Sequence, residues 1–245
     1  MFFSLFSHIK NRNNAFKIIN IFIINYKMSI VARKYWGLYR SPSDINEHLI
    51  ILASLAAHCE SVFETGVRGV ISSYSFAHGL INNGYDEKTL FMNDIDECPI
   101  NEIMNDTKDT GLSISFIAKN NLELEITRNY DMTFIDTWHV YAQLKRELAK
   151  FHKITNKFIV MHDTTVDAER GESFRMNMDI EKQMKDSGFL REEILKGLWP
   201  AVEEFLKEHP EWVLIKRYIN NNGLTILARD KYVNEAKRAI AFLNI

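Results

Sequence analysis

The stretch that most constrains this chain is residues 61–80, S-V-F-E-T-G-V-R-G-V-I-S-S-Y-S-F-A-H-G-L. Val62 and Phe63 form a short apolar run that Glu64 closes. Gly66 and Gly69 follow, then small hydroxylated residues including Ser72, then a helical pattern through Tyr74, Phe76, Ala77 and Leu80. The order is strand, tight turn, helix. Glycine lets a backbone turn sharply and lets a ligand approach it closely. The helix start offers free N–H groups and a positive dipole end. An adenosine-type cofactor is held at such a place in open α/β sheets. An ordinary strand-to-helix turn fits the same residues.

The chain has 245 residues, enough for one large α/β domain or two small ones. Its net charge of −2 shows no basic excess of the kind that marks a nucleic-acid binder. The two cysteines, Cys59 and Cys98, have no metal-type spacing, which suits a cytoplasmic protein with free thiols. Residues 1–27 are rich in Phe, Ile and Asn, and Asn20 and Asn25 interrupt their longest apolar run. A spanning helix needs about 20 apolar residues, so no membrane span is expected. These residues read as an appendage, and Met28 is an alternative start of translation.

From Ser41 onward helices and strands alternate. Residues 41–57 read as a covering helix capped by Ser43 or Asp44. Residues 88–96 read as a strand ending in Asp94 and Asp96, and an acid there can accept hydrogen bonds from ribose hydroxyls. Residues 113–118 alternate as a strand. Asn120, at its end, either meets an adenine edge or caps the short helix that follows.

Residues 130–139, Y-D-M-T-F-I-D-T-W-H, place Asp136, Trp138 and His139 at the end of a buried strand. Trp138 is either a stacking surface for a purine or a packing residue. His139 is either a general base or a helix cap. Residues 156–165 form a further strand ending in His162, Asp163 and Thr164. Neighbouring parallel strands lie about 5 Å apart, so Asp136 and Asp163 can gather hard oxygen ligands for Mg²⁺ or Ca²⁺. A hydrogen-bond network to loop amides is the alternative. The charged residues 166–196 read as an insertion forming a lid, a substrate wall or the contact of a homo-oligomer. Asn220, Asn221, Asn222 and Gly223 mark a hairpin between the last two strands.

A covering helix, five strand–helix alternations and a terminal hairpin resemble the class I S-adenosylmethionine-dependent methyltransferases. The likeness runs over about residues 41–229. It is nearest to the cephalosporin hydroxylase / rhamnosyl O-methyltransferase-like group, through the glycine turn after Glu64, the H-D-T strand end and G-L-W-P-A-V-E-E-F-L. Residues 130–139 also look like the matching stretch of catechol O-methyltransferases. The resemblance implies one α/β, Rossmann-like domain over residues 28–245. Its seven-stranded sheet would be mostly parallel, ordered 3-2-1-4-5-7-6 and closed by an antiparallel hairpin, with helices on both faces.

The resemblance further implies that Glu64, Gly66, Gly69 and Ser72 line the methionine end of S-adenosylmethionine. Asp94 would hold the ribose, Asn120 would lie near adenine and Trp138 near the adenine or sulfonium. Asp136, Asp163 and Thr164 would match Mg²⁺ ligands, and His139 and Asp136 would serve catalysis. The implied reaction is methylation of a small hydroxylated acceptor such as a sugar. Three departures stand out: motif one holds only two glycines, Thr164 replaces an asparagine, and the family's lysine base is absent. A binding protein without turnover shares the fold, as does an NAD-dependent oxidoreductase, which wants a G-x-G-x-x-G turn that Gly66 and Gly69 do not supply.

Overall fold

The structure is a computed structural model that describes residues 28–241. The appendage expected over residues 1–27 lies outside the described residues. Seven strands form one sheet: β1 (Ser61–Thr65), β2 (Lys88–Asp94), β3 (Leu112–Ala118), β4 (Tyr130–Ile135), β5 (Thr155–His162), β6 (Trp212–Tyr218) and β7 (Leu224–Arg229). Their order is β3-β2-β1-β4-β5-β7-β6. β7 runs antiparallel to both β5 and β6, and the pairs among β1 to β5 are parallel.

The central strands are apolar on both faces because helices cover both. Side chains alternate as strand geometry requires. Val62, Met132, Phe158, Val160 and Ile226 face one core. Phe63, Tyr130, Ile159, Met161 and Leu227 face the other. The first face is covered by α1 (Ile30–Arg40), α2 (Leu49–Ala56), α3 (Ile71–Ile81) and α10 (Val233–Ile240). The second is covered by α5 (Tyr141–Phe151) and α9 (Trp199–Glu208). α4 (Asn101–Thr107) follows β2, and its Ile103 packs into the first core. Fully burying a side chain such as Phe63 or Phe158 contributes about 1.5–3 kcal/mol.

Two details differ from the sequence reading. α1 has its own start signal, because the Ser29 hydroxyl accepts from Ala32 N–H at 3.1 Å. The covering helix after Ser41 begins later than expected. A single turn over Asn46–His48 precedes α2, and Asn46 Oδ1 accepts the Ser43 N–H at 3.0 Å.

Between β5 and α9 the chain makes an excursion with three short helices, α6 (Glu172–Arg175), α7 (Ile180–Ser187) and α8 (Arg191–Leu195). Its two ends are tied together: Leu198 N–H donates to Asp167 O at 2.8 Å and Trp199 N–H to Ala168 O at 2.9 Å. Ile194 packs with Val140 and Ala142 into a small separate core, joined by Trp138, Ile180, Met184 and Phe189. No described helix is long and apolar enough to cross a membrane.

Candidate functional site

In a parallel sheet the carboxyl ends of all strands lie on one edge. β1 is hydrogen-bonded between β2 and β4, with Thr65 opposite Asn93 on one side and Ile135 on the other. Glu64, Asp94 and Asp136 therefore gather at the same edge. Gly66 joins them: it has φ +89°, and a Cβ there would stand 1.8 Å from the Asp136 carbonyl oxygen. Only glycine allows the turn after β1 to lie against the turn after β4. Gly69 carries no such demand, since the nearest atoms to a Cβ there are Ile71 side-chain carbons at 3.7 Å and beyond. The left-handed positions fall instead on Arg68 (φ 43°) and Val70 (φ 61°).

Glu64 is fully buried. Its carboxyl accepts from Ser72 Oγ at 2.5 Å and Ser73 Oγ at 2.6 Å. Burial pushes its pKa up to about 8, the serines oppose the rise, and Asp136 and Asp94 add to it. Asp94 Oδ2 accepts from Val67 N–H at 2.8 Å and Arg68 N–H at 2.9 Å, which clamps the glycine turn. Burial raises the Asp94 pKa, but the N–H groups of Arg68, Val67, Asp96 and Ile95 outweigh it and leave the carboxyl below its ordinary value.

A second group lies across β4 and β5. His139 Nε2 stands 3.2 Å from Asp136 Oδ1 and 3.1 Å from Asp163 Oδ2. Its Nδ1 stands 3.0 Å from Glu172 Oε2 and 3.6 Å from Asp167 Oδ2. His162 Nδ1 lies 3.1 Å from Asp163 Oδ2 and 3.4 Å from Asp136 Oδ1, and its Nε2 faces Asn221 O at 3.1 Å. Arg175 grips both oxygens of Asp167, at 2.7 and 2.9 Å. Burial lowers the pKa of each ring, but the surrounding acids prevail. Asp136 with Asp163 carries His162 to about 10, while Asp136, Glu172 and Asp163 hold His139 well above its ordinary value. Burial raises Asp136 in turn, yet His162 and His139 hold it far below the carboxylate range.

Four expectations need correction on this geometry. His139 does not present a free ring nitrogen as an open base would, because both its nitrogens face carboxylate oxygens. Thr164 does not join the acids: it is fully buried and its hydroxyl accepts from Thr225 Oγ1 at 2.8 Å. Trp138 turns into the excursion rather than toward the glycine turn. Its Nε1–H donates to Ser173 Oγ at 3.0 Å and its ring stacks on Phe189 at 5.8 Å between centroids. Asn120 is a cap, accepting from Leu122 N–H at 3.0 Å.

Its neighbour Asn121 is the buried one, donating to Thr65 Oγ1 at 2.9 Å and Glu147 Oε1 at 2.5 Å. Thr137 and Gln143 donate to the same Glu147 oxygen, at 2.6 and 2.8 Å. This network braces the loops after β1, β3 and β4 from below. Sequence reading missed it, along with Asp167, Glu172 and Arg175. Glu147 and Gln143 lie one helical turn apart on the otherwise apolar buried face of α5, a pattern that would have marked them.

Of the Mg²⁺ set, Asp136 and Asp163 come together around His139, and Thr164 does not join them. Mg²⁺ prefers oxygen ligands, whereas the groups that meet the two aspartates are imidazole nitrogens. These donors do not fit Mg²⁺.

The sheet order and its single antiparallel strand define the fold as that of the class I methyltransferases, a Rossmann-like seven-stranded architecture. Solved structures share it. The chain is similar over 87% of its length, and 98% of the other chain's, to a Staphylococcus aureus protein assigned as a caffeoyl-CoA O-methyltransferase, at 15% identity and TM-score 0.53. It is similar over 82% of its length, and 96% of the other's, to the N-methyltransferase NodS from Bradyrhizobium japonicum WM9 in complex with S-adenosyl-L-homocysteine, at 15% identity and TM-score 0.51. It is similar over 83% of its length, and 91% of the other's, to the O-methyltransferase TomG from Streptomyces achromogenes in complex with SAM, at 13% identity and TM-score 0.50. Likeness at these identities establishes the fold. No family model matches the sequence, and no curated protein does.

Proposed function

We propose that this chain is an S-adenosylmethionine-dependent O-methyltransferase acting in the cytoplasm on a small hydroxylated acceptor such as a sugar. The observation that carries the reading is the convergence of Glu64, Asp94 and Asp136 on one edge, around a turn that only Gly66 permits. Burial does most to raise the Glu64 pKa, and repulsion from Asp136 and Asp94 adds to it. A cationic ligand relieves that repulsion, and the cofactor brings both a sulfonium and an ammonium. Asp94 Oδ1 accepts a long bond from Asp96 N–H, at 3.3 Å, and a ribose hydroxyl would compete for this oxygen at the strand end. NodS with bound S-adenosyl-L-homocysteine and TomG with bound SAM have the same fold, which supports the reading.

The bound cofactor supplies an activated methyl group. The protein's task is to align the acceptor oxygen in line with it and keep water out. Asp136 is assigned the hydrogen bond from the acceptor hydroxyl, because it stays ionised and it is Oδ1 alone that faces His139 and His162. Its low basicity makes it an orienting group more than a strong base. No Mg²⁺ enters this proposal.

The test is release of S-adenosylhomocysteine over a panel of sugars and phenols. Turnover that requires an acceptor is the expected result. A protein that binds the cofactor and releases nothing with any acceptor would be a binder, and the enzymatic reading would fail.

A further inference from the structure

The edge of the sheet away from the glycine turn carries a separate set of imidazole and carboxylate groups. His152 closes α5 just before β5 begins, and His209 closes α9. Glu211 stands directly before β6. Trp212, the first residue of β6, pairs with Arg229 at the end of β7, and β7 runs antiparallel to β5. All three residues therefore lie where the parallel strands start. β5 is 8 residues long, and at about 3.3 Å per residue it keeps them about 20–25 Å from Asp163.

The candidate ligand atoms converge. One atom from each of His152, His209 and Glu211 lies within 4.8 Å of the other two. The two rings stand 4.1 Å apart between centroids, and His209 Nδ1 lies 3.3 Å from Glu211 Oε1. That separation is long for a hydrogen bond. It matches neighbouring ligands held at about 2.0–2.1 Å from one ion, which stand about 3.0–3.4 Å apart.

The surrounding chain holds the three in place. His209 O accepts the Trp212 N–H at 3.0 Å, closing a turn in which Pro210 fixes one φ. Asp230 N–H donates to Glu211 O at 2.9 Å. Arg229 donates to His152 O at 2.7 Å and to Thr155 O at 2.9 Å, so its charge is directed at backbone carbonyls. Phe205 flanks both rings, 5.6 Å from His152 and 4.7 Å from His209 between centroids. Burial lowers the His152 pKa, His209, Lys153 and Arg229 add to the fall, and Glu211 opposes it. The His152 ring is thus neutral near pH 7 and keeps a lone pair for a metal.

We infer that His152, His209 and Glu211 form a binding site for a first-row transition dication such as Zn²⁺, which staples the ends of α5 and α9 together. Two imidazoles and a carboxylate are a set that Zn²⁺ takes with water in the fourth position. Imidazole favours such an ion over Mg²⁺. The site shares no residue with the proposed cofactor edge, and the inference holds whether or not methyl transfer does. The competing arrangement is a cation-free contact of the two rings.

The full chain, stripped with chelator and dialysed, would be titrated calorimetrically with Zn²⁺ beside His152→Asn, His209→Asn and Glu211→Gln. The native chain should bind one equivalent that each variant loses or binds at least about 10-fold more weakly, the least that disturbing even an outer partner of a metal site costs. Millimolar Mg²⁺ should not displace that equivalent. Zn²⁺ should also raise the urea midpoint of the native chain more than that of Glu211→Gln, because an ion held by the folded form alone stabilises it. Where a histidine variant does not fold, Glu211→Gln decides alone. Equal Zn²⁺ stoichiometry and affinity in the native chain and every folded variant, equal midpoint shifts, or displacement by Mg²⁺ would overturn the inference.

Discussion

Replacing Glu64 by glutamine should flatten the pH dependence of stability. Glutamine keeps the shape of the protonated carboxyl and can still bond Ser72 and Ser73. Burial carries Glu64 from an ordinary 4.5 to about 8 in the folded chain. Between those values the folded form holds a proton that the unfolded form has released. The resulting stability is complete below about pH 4.5 and is lost as pH rises through about 8. At about 1.4 kcal/mol per pH unit, the loss from pH 5 to pH 8 is about 4 kcal/mol. Urea unfolding of both proteins across that range isolates the effect, because other titrating groups cancel in the difference. The variant should gain about 4 kcal/mol relative to the native chain between the two ends. Parallel curves would refute the picture of a buried, proton-holding Glu64.

Other substitutions probe separate parts of the structure. Gly66→Ala must place a methyl 1.8 Å from the Asp136 carbonyl oxygen at φ +89°, and should lower stability by more than about 3 kcal/mol in the same unfolding assay. Thr164→Val removes only the bond to Thr225. It should cost about 1 kcal/mol on denaturation and leave S-adenosylhomocysteine affinity within about 2-fold. Trp138→Phe loses the bond to Ser173 and should cost about 1 kcal/mol, while S-adenosylhomocysteine affinity by calorimetry stays within about 2-fold.

The sheet was legible because its strands are apolar runs closed by acids, with glycines or polar loops between them. Register then carries Glu64, Asp94 and Asp136 to one edge with no further information. The Asn-Asn-Asn-Gly turn likewise announced the antiparallel strand. What periodicity does not encode is the direction of a side chain beyond a strand's end. Trp138, Thr164 and Asn120 were therefore assigned to the site by position, while packing turned each of them elsewhere. The excursion was visible as an insertion, but its contribution of Asp167, Glu172 and Arg175 depends on contacts about 30 residues from His139, which no local pattern fixes. The tip of β5 was read for its aspartate, and His162 beside it went unassigned because one histidine carries no mark of the partners it will meet.

The most direct measurement is a calorimetric titration of the purified chain with S-adenosylhomocysteine, beside NADH as a control and Asp94→Ala as a variant. The account predicts one equivalent of S-adenosylhomocysteine bound, no NADH bound, and an affinity at least about 10-fold weaker in Asp94→Ala, the loss of hydrogen bonds worth about 1.4 kcal/mol. No heat of binding at concentrations that saturate ordinary methyltransferases, or tight binding that ignores Asp94, would contradict it.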